Sequence, residues 1–210
     1  MKLRSEKTDF MKFAILLAVF IIIGVLSVAA QNTANLGFYT KSTQINTSGL
    51  YVLGGWAVAN IAGGAIGWAN STGSAKYFHQ MNVFWNTVNL GIAGFALYNN
   101  LNTDISLLSA DEMLSKHTKT ENLYLINAGL DVVYIGTGLL LKHFSTTNPN
   151  KQDLLKGYGN SVILQGSFLM AFDLIMWGIQ RNHRLDFLKN TEFSFLQFEN
   201  FSQLAVVIRF

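Results

Sequence analysis

The chain has 210 residues, enough for one sizeable domain. Half of it is apolar and only 13% is charged, well short of the roughly 25% charge of a soluble domain, and the mean hydropathy is +0.28. The net charge of +3 comes without a long basic run or a nucleic-acid-binding motif, which argues against a nucleic-acid partner. The lack of cysteine excludes disulfides, thiolate metal sites and a cysteine nucleophile.

Residues 1–12 carry Lys2, Arg4, Lys7 and Lys12 against Glu6 and Asp9, and residues 13–30 carry no charge. The run ends in Val28, Ala29 and Ala30 before Gln31, with small residues where a signal peptidase needs them. Residues 1–30 therefore read as a cleavable signal peptide, with an uncleaved signal anchor as the alternative. No cysteine follows, so a lipoprotein anchor is excluded. Residues 31–49 are small and polar and read as a solvated lead-in beyond the bacterial plasma (inner) membrane.

Four apolar segments follow, at 50–69, 77–98, 123–141 and 158–179. About 20 residues of helix cross a hydrocarbon core of about 30 Å. Aromatic residues near the segment ends, among them Tyr51, Tyr77, Tyr98, Tyr124, Tyr158 and Trp177, resemble interfacial belts. A soluble helix bundle would present charged outer faces. Here the non-apolar residues are mainly Asn, Gln, Gly, Ser and Thr. The predicted fold is all-α, a four-helix transmembrane bundle over residues 50–180, multi-pass, with loops at 99–122 and 142–157. Residues 181–210 read as a polar, amphipathic tail. Starting outside at Gln31 puts loops 70–76 and 142–157 inside, although Lys and Arg are not concentrated there.

Within the first segment Gly55, Ala59, Gly63 and Gly67 recur every fourth residue. Such a ridge lets helix backbones approach closely, and it offers a face for packing inside the chain, for a homo-oligomer or for a membrane partner. The second segment places Asn82, Asn86 and Asn89 on one face, with His79 a turn earlier. The third carries a stripe of Tyr124, Asn127, Asp131 and Tyr134; the fourth carries Gln165 and Asp173, and the first Asn60. At 1.5 Å per residue, Asn60, Asn86, Asn89 and Asp131 fall roughly 14 to 18 Å from the inner side. Asn127 and Asp173 fall about 22 Å deep and Gln165 about 10 Å. One polar layer near mid-membrane is the expectation.

That layer has two readings. Amides bond across helices and fix their register, at about 0.6 kcal/mol per bond. Alternatively the aspartates, costly at the bilayer centre and without a Lys or Arg at their depth, mark a ligand or ion site. A third reading pairs His79 and His143, level with each other on the inner side, around a haem or metal. Nothing else completes such a shell, so no cofactor and no metal are assigned. No GxSxG, HExxH, P-loop or dinucleotide fingerprint occurs, and an enzyme is not expected.

The strings "KYFHQMNVFWNTVNLGIA", "NLYLINAGLD" and "KGYGNSVILQGSFLMAFDL" resemble a family of unknown function, small four-helix proteins of Bacteroidota-type bacteria. The resemblance covers about residues 50–177 and implies the architecture, with no activity, cofactor or catalytic residue attached. The resulting expectation is a non-enzymatic membrane protein with a polar layer of Asn60, His79, Asn82, Asn86, Asn89, Asn127, Asp131, Tyr134, Gln165 and Asp173. The layer either binds a small ligand or ion, or only fixes packing in a structural, partner-binding subunit.

Overall fold

In the computed structural model the backbone is described for residues 2–196 and the side chains for residues 33–189. The chain forms α1 (Lys2–Asn70), α2 (Gly73–Asn102), α3 (Ala110–Thr147) and α4 (Gln152–Leu196), with short 3-10 turns at Ile105–Leu107 and Pro149–Lys151. No strand occurs among the described residues. The side chains of the expected signal sequence lie outside the described residues. Its backbone belongs to α1, which continues unbroken past Ala30.

The turns follow from local chemistry. Thr72 is extended and Gly73 has φ 58°, a left-handed conformation costly for other residues, so α1 reverses tightly into α2. Ser109 opens α3 with a capping box: its Oγ accepts from Glu112 N, and the Glu112 carboxylate accepts from Ser109 N at 2.8 Å. Asp104 accepts from Ser106 N and Oγ, and these bonds hold its carboxyl below the usual range. Pro149 begins the turn between α3 and α4, where its missing N–H is harmless.

Helix extends into stretches read from the sequence as a loop (99–122), a polar lead-in (31–49) and an amphipathic tail (181–210). Residues 110–122 are the first turns of α3, residues 31–49 continue α1 and bury Phe38 and Ser42, and residues 181–196 continue α4. The capping box explains the early start of α3. From Ala110 to Leu123 the extension is about 20 Å at 1.5 Å per residue. The bundle thus projects past its apolar stretches at one end, called the collar here.

Three helices are long and apolar enough to cross a membrane, within Thr33–Asn70, Ala110–Thr147 and Pro149–Lys189. The second of the four expected spans, in α2, is not among them. Its buried amides lower its hydropathy. The distribution of side chains reverses that of a soluble bundle. The largest fully buried side chains are His117, Gln165, Gln180, Asn86 and Ser161, while Phe95, Ile66 and Val88 are exposed, Phe95 by 69%.

Glycines set the closest crossings. A Cβ on Gly138 would lie 2.7 Å from the Gly159 carbonyl oxygen, so α3 and α4 meet backbone to backbone there. The ridge expected on α1 divides. Gly67 lies under the His79 ring, whereas Gly55 and Gly63 meet nothing within 4 Å. Gly64, outside that ridge, packs against Val83 and the His79 carbonyl. Helix α4 touches all three other helices.

Candidate functional site: two polar layers and a cavity

The residues expected in one layer occupy two. Gln165 of α4, fully buried, organises the first. Its Oε1 accepts from Trp56 Nε1 at 2.9 Å, and its Nε2 donates to Asn60 Oδ1 at 3.1 Å and Asn82 Oδ1 at 3.0 Å. Asn82 Oδ1 also accepts from Ser161 Oγ at 2.6 Å. The Trp56 ring stacks on Phe168, centroids 3.8 Å apart. Three helices are thereby tied through one amide. The depth count set Asn60 level with Asp131. It belongs instead with Gln165, to which its side chain bonds.

The second layer is toward the collar. Asp131 and Asp173 are both buried, 2% and 5% exposed. A cavity of about 150 Å³ adjoins them, bordered also by Asn89, Asn127, Tyr134 and Phe172. Asp131 Oδ2 and Asn89 Nδ2 are buried there without a hydrogen-bond partner. An unpaired buried polar atom costs about 1–3 kcal/mol, which a ligand or water in the cavity would relieve. Asn127 stands exposed at the rim, and Tyr134 packs edge-on against Trp85 with centroids 4.8 Å apart. Asn86 lies between the layers; its Nδ2 donates to Asn82 O, and its Oδ1 and Trp85 Nε1 have no partner.

His79 joins neither layer, since its ring covers Gly67 at the contact of α1 and α2. His143 is exposed beside Phe144. Among the described residues no group of three or more His, Cys, Asp and Glu side chains is arranged to hold a metal ion.

A polar cluster in the collar escapes a reading of residues 99–122 as loop. His117 is fully buried; its Nδ1 lies 2.7 Å from Ser42 Oγ. Ser42 Oγ donates to Gln180 Oε1 at 3.2 Å, so the proton in the bond to His117 resides on Nδ1. Glu121 receives two bonds from Arg184, at 2.7 and 3.0 Å. The signal was available: His117, Glu121, Tyr124, Ala128 and Asp131 recur at helical spacing. Between collar and cavity, Tyr124 Oη donates to Asn46 Oδ1.

A groove of about 1040 Å³ opens along α1 and α4 at this same end. Its α1 wall bears Thr43, Gln44, Thr47 and Ser48, and its α4 wall is apolar, from Phe168 to Ile179. Phe172 borders both groove and cavity.

No curated protein and no solved structure matches the chain. A family model described as "Family of unknown function (DUF6992)" matches residues 52–174, from just after the start of the first apolar stretch to the residue after Asp173. That match covers more than half of the chain and contains both polar layers, so the protein belongs to the DUF6992 family of unknown function.

Proposed function

We propose that this is a non-enzymatic, multi-pass protein of a bacterial inner membrane whose Asp131–Asp173 cavity binds a small cation or hydrogen-bonding ligand. The reading takes all four helices as crossing the bilayer, α2 packed against α1 and α4 with its large apolar side chains facing outward. The observation that carries it is the Asp131 Oδ2 atom, buried without a partner at the edge of a cavity. Intramembrane carboxyl groups are costly to insert and are typically kept for ions, protons or ligands. The rival reading, in which buried polar groups only fix helix packing, suits the Gln165 layer, where the amide is bonded on all sides.

The test is binding of methylammonium, sodium and potassium to the detergent-purified full chain, compared with Asp131→Asn and Asp173→Asn. Saturable binding of at least one of these ions, weakened about tenfold or more in both variants, with unchanged helicity, supports the site. Identical behaviour of all three proteins would leave the polar groups as packing elements.

A further inference from the structure

Groove and cavity have been described as separate spaces, yet one side chain divides them. Phe172 lies on α4 beside Asp173, half-buried, and borders both. Its ring stacks on Phe168 with centroids 6.3 Å apart and meets Tyr124 edge-on at 6.2 Å. None of its side-chain contacts is a hydrogen bond, so nothing polar fixes its rotamer. Groove and cavity thus share this ring as a common wall, and a rotation of it would join them.

The joined space is chemically divided. At its inner end are the carboxyl groups of Asp131 and Asp173, with one oxygen of Asp131 unpartnered. Beyond Phe172 runs an apolar stripe of α4: Phe168, Ala171, Ile175 and Ile179. Facing that stripe, α1 contributes hydroxyl and amide groups, with Lys41 toward the collar. A fatty acid would bring its carboxylate to the carboxyl pair and be repelled. A bare metal ion could use the carboxyls and amides of the cavity border but would leave the apolar stripe unfilled. An ammonium needs only three acceptors, which two carboxyl groups can supply, and an amine can carry an apolar body into the groove.

We propose that groove and cavity form one binding site for a hydrophobic monoamine, its ammonium on Asp131 and Asp173 and its apolar body along Phe168, Ala171 and Ile175. Phe172 is the partition that moves aside, and it then packs against the bound body. This proposal rests on the cavity reading above and gives it a ligand class.

The experiment is equilibrium dialysis of the detergent-purified full chain against phenylbutylamine, its neutral analogue phenylbutanol, and methylammonium, with circular dichroism as a check on folding. Phenylbutylamine should bind saturably, and phenylbutanol and methylammonium each about tenfold or more weakly, since a hydrogen bond to a charged group is worth about 1.5–3 kcal/mol. Asp173→Asn should weaken both amines. Ala171→Trp, which fills the groove and leaves the carboxyl pair intact, should weaken phenylbutylamine about tenfold and spare methylammonium. Equal binding of phenylbutylamine and phenylbutanol overturns the proposal, because the charge then plays no part. Methylammonium bound as tightly as phenylbutylamine overturns the groove half and leaves the cavity reading standing. If neither amine nor any inorganic ion binds, both readings fall.

Discussion

The two polar layers are built from similar material and reach opposite ends. Around Gln165 each side-chain amide or indole finds a partner: Trp56, Asn60, Asn82 and Ser161 are all bonded. Around Asp131, the carboxyl pair and Asn89 leave atoms unused and surround about 150 Å³ of space. A saturated network specifies how helices sit. An unsaturated one beside a cavity leaves hydrogen-bonding capacity that the protein itself does not use. The difference lies in the arrangement, since Asn occurs in both.

The comparison can be broken most forcefully at Gln165. Replacing it with Leu removes three interhelical bonds at about 0.6 kcal/mol each, so Gln165→Leu should lose about 2 kcal/mol of stability, read by unfolding in mixed detergent. Phenylbutylamine binding by the folded fraction should persist. A loss of binding equal to that of Asp173→Asn would show that the layers act as one unit. Next is Asp131→Asn, which should shift stability by less than about 0.6 kcal/mol while weakening phenylbutylamine about tenfold. A large stability loss with binding retained would reverse the roles given to the two layers. Trp56→Phe keeps the stack on Phe168 and deletes one donor to Gln165. It should cost about 0.6 kcal/mol in the same unfolding assay. The smallest effect belongs to Asn89→Ala, whose amide nitrogen already lacks a partner. Stability should remain within about 0.5 kcal/mol of the parent, and a greater loss would mean that Asn89 is bonded after all.

Much of the architecture is legible in the sequence. Uncharged stretches give the helices, and the isolated Asp131 and Asp173 stand out because nothing basic shares their depth. Which residues meet across helices is not legible. Counting residues from an assumed membrane face merges Asn60 with Asp131 when Asn60 meets Gln165. Glycine spacing finds a ridge on α1 without showing which side of it packs. Gly67 does, under His79, while Gly55 and Gly63 face outward. The collar is hidden by composition: residues 110–122 are polar enough to resemble a loop, and only the Ser109–Glu112 cap and the helical recurrence of His117 and Glu121 contradict that impression.

Helices α3 and α4 run from the collar to the carboxyl pair without a proline or a break; Pro149 sits in the turn at the opposite end. Glu121 and Arg184 clamp the two rods together on the collar side, and Gly138 and Gly159 press them together on the other. Asp131, Asp173 and Phe172 lie between these fixed points, so the width of the cavity is set by two contacts that lie outside it, one an ion pair and one a backbone crossing.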